Sequence, residues 1–241
     1  MRYSLSEVKE KCKRDNKKAN DKLHWFSSKF SIYFSYIFIN LRLNADQVTI
    51  IFFIIGLLGS ISYGSSNISF IILGYILFRL HIIFDMCDGD VARFNKSFSI
   101  RGAYWDSMIH SALNPLYYLF FCISLFNIHN DSFFLLISPF LTLSMSLNMS
   151  VKNNFLKAKF QNKDLEIEKL KINNKTRFGA FNLIAELTSI EGFVFLAIPV
   201  FYFQNLFISK IFVIAYLLFN ISKSFIKFIL LSYKGAYYNR N

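Results

Sequence analysis

Long apolar runs alternate with short polar breaks from residue 47 to residue 233. Six stretches approach the roughly 20 residues that a helix needs to cross a bilayer. They cover residues 47–63, 68–88, 104–126, 133–151, 189–203 and 207–233. The fifth is short and needs its flanking residues to cross. Pro115 and Pro139 fall inside spans, where neighbouring helices accommodate a kink. Ahead of the first span, Trp25, Phe26, Phe30, Tyr33, Phe34, Ile37 and Leu41 recur at three- and four-residue steps. That spacing predicts an amphipathic helix that lies in the membrane interface or packs on the bundle. Residues 1–24 are polar and show no apolar face, which predicts a solvated or loosely helical segment. The pattern therefore predicts an all-α integral membrane protein. It has six transmembrane helices and an N-terminal amphipathic interfacial helix. One membrane-embedded domain covers 1–241, with 1–46 as its cytoplasmic and interfacial N-terminal segment.

Charge adds orientation to this picture. The chain is 54% hydrophobic and 19% aromatic, yet its net charge is +12. Nucleic-acid binding would explain the charge but not the apolar runs, so no nucleic-acid partner is expected. Lys and Arg concentrate in three places: ten in residues 1–46, three in the loop after the second span (Arg93, Lys96, Arg101) and eight in residues 152–187. The short loops at 64–67 and 127–132 carry none. Basic loops stay on the cytoplasmic side. Six spans then put both termini and the second loop in the cytoplasm, in a membrane expected to be a bacterial inner membrane. Residues 152–187 read as a basic helical hairpin in solvent. Cys12, Cys87 and Cys122 show neither metal spacing nor an even count, and are expected to be reduced.

The chemistry gathers between the second and third spans, in DMCDGDVARFNKSFSIRGAYWDSMIH. Asp85 and Asp88 are three apart, and Asp106 and His110 are four apart. On helices each pair shares a face. Carboxylates at that depth are costly unless paired or bound to a cation. Three of them without a matching cluster of bases suit a hard divalent ion, Mg²⁺ or Mn²⁺ rather than Zn²⁺. Gly89, Ala92 and Gly102 let a ligand or another backbone approach closely. Arg93 can grip a phosphate through two parallel hydrogen bonds. His81, one turn before Asp85, can donate to it or pack between helices. Arg79 needs an interior partner or water. Asp90 lies off the Asp85–Asp88 face. Asn220, Lys223 and Lys227 form a polar stripe on the sixth span.

The pattern Asp85-x2-Asp88-Gly89-x2-Ala92-Arg93-x8-Gly102-x3-Asp106 resembles the signature of the CDP-alcohol phosphotransferase family. Ala45-Asp46-Gln47-Val48-Thr49 more weakly resembles a Pro-Asn-x-x-Thr-like segment that family members carry before the first span. The resemblance implies metal-dependent transfer of a substituted phosphate, phosphatidyl in many members, from a CDP-linked donor to an alcohol, with release of CMP. It implies Asp85, Asp88, Asp106 and the residue at 110 as ligands of two Mg²⁺ or Mn²⁺ ions. Gly89, Ala92, Arg93 and Gly102 would form the cytidine diphosphate pocket, and Asp106 and His110 would carry the catalytic role. The implied partners are CDP-diacylglycerol, a small alcohol or polyol acceptor, the bilayer and, as in many members, a second copy of the chain. One position departs: the family has a fourth Asp where this chain has His110. Neutral His can act as base or as nitrogen ligand, or it can mark a homologue that binds nucleotide or metal without turnover. A cation transporter is disfavoured, because the carboxylates sit at helix ends and the other spans show no acidic relay.

The charge asymmetry makes a direct prediction. A reporter fused after the sixth span is expected to report cytoplasm. A reporter on the far side of the membrane would remove the six-span topology.

Overall fold

The computed structural model describes residues 3–12, 22–161 and 189–238. Every regular element among them is an α-helix: α1 (Leu5–Lys11), α2 (Lys22–Asn40), α3 (Ala45–Tyr63), α4 (Ile68–Asn95), α5 (Ile100–His129), α6 (Phe133–Gln161), α7 (Ile190–Phe203) and α8 (Leu206–Tyr238). Among the described residues, α3, α4, α5, α6 and α8 contain segments long and apolar enough to cross a membrane. Helix α7 is apolar but has only 14 residues. At 1.5 Å per residue it is about 21 Å long, short of the roughly 30 Å hydrocarbon core. This is an all-α membrane protein with roughly six spans. Most of the predicted basic hairpin, residues 162–188, lies outside the described residues.

The chain divides into two compact units, residues 1–128 and 129–241. The first carries the motif. Helix α3 starts where Asn44 accepts from Gln47 N at 2.8 Å while Gln47 Oε1 accepts from Asn44 N at 2.9 Å. That reciprocal cap satisfies two of the N–H groups a helix start leaves open. Helix α4 continues past the predicted span end at residue 88 to Asn95. It stops at Lys96, which adopts a left-handed conformation (φ 52°). After Lys96 and the next three residues, α5 begins, with Ser99 Oγ accepting from Gly102 N at 2.9 Å. The four-residue break keeps the motif halves on two rigid helices.

Helices α3 and α4 approach closely through glycine. A Cβ on Gly74 would sit 2.9 Å from the Gly59 carbonyl oxygen, and one on Gly56 would sit 2.7 Å from His81 Nδ1. Small residues at such crossings are how membrane helices gain packing without a hydrophobic driving force between them. Tyr117 locks α5 in, donating to the Gly56 carbonyl at 3.1 Å and meeting Phe78 edge-on at 4.9 Å between ring centroids.

Helix α2 differs from its predicted role in one respect. Phe30, Tyr33, Ile37 and Leu41 do share an exposed apolar face. Phe34, expected on that face, turns inward and meets Phe84 of α4 at 5.0 Å. The buried face is otherwise built on serine: Ser27, Ser31 and Ser35 are fully buried. Arg79 donates to Ser27 Oγ at 2.9 Å, which supplies the interior partner that residue needs. Cys87 Sγ donates to the Ser31 carbonyl at 3.2 Å. An apolar face turned outward and a small polar face turned inward suit a helix with lipid on one side and protein on the other. The side chains of Trp25 and Phe26 lie outside the described residues.

The N-terminal segment is also a correction. Rather than being solvated throughout, α1 docks: Val8 is fully buried and Cys12 nearly so, in one cluster with Phe38, Ile39, Val48, Ile83, Cys87 and Val91. A seven-residue helix needs such help to persist. It has a second aid in the cap that Ser4 and Glu7 exchange, which holds the Glu7 carboxyl below the ordinary glutamate range through the Ser4 backbone N–H. All three cysteines are free thiols.

In the second unit, α6 and α8 pack together, and Lys227 donates to Asn148 Oδ1 across that seam. Asp131, before α6, pairs with Lys210 of α8 at 2.6 Å, and this holds its carboxyl below the ordinary aspartate range.

The glycine crossing can be tested. Gly74→Ala puts a methyl against a backbone oxygen that cannot rotate away. It is expected to cost about 1–3 kcal/mol, the usual range for overpacking, read as a lower midpoint in thermal unfolding of the detergent-solubilised protein. An unchanged midpoint would show that the crossing is looser than the structure has it.

Candidate functional site

The two motif pairs sit as their spacing requires, Asp85 and Asp88 on α4, Asp106 and His110 on α5. The helices bring one atom from each of Asp85, Asp106 and His110 within 4.8 Å of one another. His110 Nε2 lies 3.2 Å from Asp85 Oδ1 and 3.2 Å from Asp106 Oδ1. Only the approach to Asp85 is aligned as a hydrogen bond. Asp106 Oδ1 is therefore a buried carboxylate oxygen with a close neighbour but no aligned donor. The imidazole is itself held, stacking on Phe52 of α3 with ring centroids 6.2 Å apart at 26°.

His81 lies one layer behind. Its Nδ1 is 3.0 Å from the Phe52 carbonyl oxygen. A carbonyl can only accept, so Nδ1 carries the proton there. The ring is almost fully buried and lies edge-on to His110 at 5.7 Å. His81 thus braces the site through α3 instead of donating from Nδ1 to Asp85.

Asp88 does not join the three converging groups. Its Oδ2 accepts from Thr49 Oγ1 of α3 at 2.9 Å, and it lines a neighbouring cavity of about 180 Å³. Gly89, Ala92, Gly102 and Asp106 line the same cavity, as do Asp46 and Phe98. Three of the four expected pocket residues therefore share one wall with two of the carboxylates. Arg101, from the loop side, pairs with Asp46 at the start of α3 and lies over the Trp105 ring, 5.5 Å from its centroid.

Arg93, the fourth expected pocket residue, is engaged elsewhere. Its Nη2 donates to Asp90 Oδ1 at 2.6 Å, and Ser35 Oγ donates to Asp90 Oδ2 at 2.9 Å. Asp90 is 1% exposed, so this pair fixes the end of α4 against α2. In the structure Arg93 holds the motif segment through Asp90. Pattern reading placed Asp90 off the metal face but could not see its partner. The signal was present in the four-residue spacing of Ser27, Ser31 and Ser35, a polar stripe that needed a polar neighbour. Thr49 was within reach in the segment before the first span, but its link to Asp88 needs the α3–α4 crossing.

The donor set fits a divalent cation. Two carboxylate oxygens and one imidazole nitrogen converge, and one of the oxygens lacks an aligned donor. Beside it lies the cavity lined by Gly89, Ala92, Gly102 and Asp88. Lys223, of the polar stripe on the sixth span, belongs to the second unit. No family model matches the chain, and no curated protein matches it.

The Arg93–Asp90 pair generates its own prediction. Arg93→Met leaves a buried carboxylate with less compensation. Breaking a buried pair costs about 3–5 kcal/mol, and the low end is expected here because Ser35 remains and Arg93 is partly exposed. The measurement is equilibrium unfolding in detergent. Wild-type stability in Arg93→Met would take Arg93 out of the structural role and return it to the pocket.

Proposed function

We propose that this chain is an integral-membrane transferase that moves a substituted phosphate group from a CDP-linked donor to an alcohol and releases CMP. One observation supports this reading most. Asp85, Asp106 and His110 converge at the edge of a cavity whose wall is made by Asp88, Gly89, Ala92 and Gly102. Those are the residue types and the spacing on which the resemblance to the CDP-alcohol phosphotransferase family rests. The donor proposed is CDP-diacylglycerol, presented from the bilayer in which the apolar helices lie. The acceptor is a small alcohol or polyol. The cytoplasmic side follows from the basic loop that carries the motif.

Asp85, Asp106 and His110 would hold Mg²⁺ or Mn²⁺, with Asp88 available for a second ion from the cavity wall. Bound there, the cation would neutralise pyrophosphate charge and stabilise the leaving phosphate. The chain's own residues do the rest. Gly89, Ala92 and Gly102 leave space where a side chain would exclude the diphosphate. Thr49 holds Asp88 in place, and Phe52 holds the His110 ring. In the transfer, the acceptor hydroxyl oxygen forms the new bond to phosphorus while the bond from phosphorus to CMP breaks. The hydroxyl proton passes to His110 Nε2, or to Asp106 beside it, when His110 serves as a ligand.

A second reading has its own observation. His110 Nε2 stands 3.2 Å from both carboxylates. A protonated imidazole in that position would offset one of the two carboxylate charges, where a divalent cation would offset both. The chain would then be a homologue that keeps the nucleotide cavity without turnover.

One comparison separates the readings. CMP release is measured with CDP-diacylglycerol, a panel of acceptor alcohols and a Mg²⁺ or Mn²⁺ titration, for wild type, His110→Ala and His110→Asp. A general base contributes about 10²–10⁴-fold, so His110→Ala is expected to lower turnover by that factor. His110→Asp supplies an oxygen ligand and is expected to keep or raise it. Equal turnover in wild type and His110→Ala would exclude both roles of His110. No release from wild type, with release from His110→Asp, would establish the second reading. Release that persists in chelator would end the metal-dependent one.

A further inference from the structure

A second cavity of about 420 Å³ lies in the first unit, lined by Tyr3, Ile39, Asn40, Arg42, Leu43, Asn44, Phe94 and Asn95. It sits beside the turn between α2 and α3 and the end of α4, and shares no lining residue with the motif cavity. Its lining carries one cation, Arg42, and no carboxylate. We propose that this cavity is a binding site for a phosphate-bearing ligand, held by Arg42 and Asn95 with Asn44 assisting, independent of the transferase reading.

The polar groups sort into those already used and those left over. Asn40 is used: its Oδ1 accepts from Tyr3 N at 2.9 Å, and its Nδ2 donates to the Tyr36 carbonyl at 3.0 Å and the Tyr3 carbonyl at 3.5 Å. Asn40 therefore clasps the N-terminal segment and builds the wall. Asn44 is half used. Its Oδ1 caps α3, which leaves its NH₂ group as a donor. The carbonyls of Ala92 and Arg93 at the end of α4 are taken by Ser97 N and Lys96 N. No carboxylate among the described residues pairs with Arg42. A second cation stands at the aromatic wall, with Lys11 Nζ 4.8 Å from the Phe94 ring centroid and 5.5 Å from that of Tyr3. A guanidinium in a lining without a carboxylate favours an anion, and the planar fork of arginine matches phosphate oxygens. The apolar floor of Ile39 and Leu43 suits the carbon skeleton such a phosphate carries.

The backbone at Arg42 decides which variant tests the site. Its φ is 58°, in the position after α2 that commonly takes glycine. Its N–H bonds the Ile39 carbonyl and the next N–H bonds the Phe38 carbonyl, so the turn is a regular helix stop in which arginine is the unusual residue. The same fact supplies a clean variant, because Arg42→Gly removes the guanidinium while suiting the backbone.

The full chain is titrated in detergent with inorganic phosphate. It is also titrated in phosphatidylcholine nanodiscs with and without phosphatidic acid. Binding is read by thermal shift and by thermophoresis. Saturable binding of either probe is expected, weakened by about 10-fold or more in Arg42→Gly, the loss of one charge-assisted contact. The unfolding midpoint of that variant is expected to be unchanged or higher. Binding of inorganic phosphate would assign a soluble phosphate compound, and response only to phosphatidic acid would assign a lipid headgroup. Asp88→Asn is expected to bind as wild type does, which keeps this result separate from the transferase reading. Absence of saturable binding by both probes would overturn the proposal. So would an equal loss in Lys9→Gln, which removes one charge from α1 outside the cavity and would reduce the effect to diffuse surface attraction.

Discussion

Three aspartates brought to the packing seam of two membrane helices repel one another, and what offsets that repulsion organises this molecule. Among the described residues, the His110 imidazole stands against two of them, its Nε2 3.2 Å from Asp85 Oδ1 and 3.2 Å from Asp106 Oδ1. Thr49 supports Asp88 with a hydroxyl, which carries dipole but no charge. In surroundings less polarisable than water, such a cluster stays fully charged only with a counter-charge of its own or a bound one. The geometry suits both, and a divalent ion would give the Asp106 oxygen the partner it lacks.

Holding those groups in place requires helices that come closer than large side chains permit. Gly56, Gly59 and Gly74 provide the approach, and Tyr117 and Phe78 fill the space beside it. The same α3–α4 crossing carries Thr49 to Asp88 and the Phe52 carbonyl to His81. Fold and site are therefore one arrangement: α3 sets the site's far wall although it carries none of the motif carboxylates. On the other side, α2 pins α4 through Arg79, Cys87 and the buried Asp90.

The spans were legible because bilayer thickness fixes how long an apolar run must be, and the runs here end at clear polar breaks. Their ends were less so. Helix α4 carries on beyond Asp88 to Asn95 because helix geometry does not stop where hydrophobicity does. The face of α2 was half legible. Its outward aromatic stripe follows from periodicity, but the inward serine stripe makes sense only against Arg79 and Asp90. The docking of α1 through Val8 and Cys12 had no periodic signal in so short a helix. At the site, spacing alone put Asp85, Asp106 and His110 on facing helices. It could not separate Asp88, which turns to α3, or decide between the pocket and Asp90 for Arg93, because both depend on how neighbouring helices cross.

The central claim is that Asp85, Asp106 and His110 form one cation site. Manganese binding to the purified protein, followed by electron paramagnetic resonance, tests it without reference to turnover. The account predicts saturable Mn²⁺ binding that is lost in Asp85→Asn and that shows nitrogen coupling removed by His110→Asp. Binding left intact by Asp85→Asn, or no binding to wild type, would contradict it.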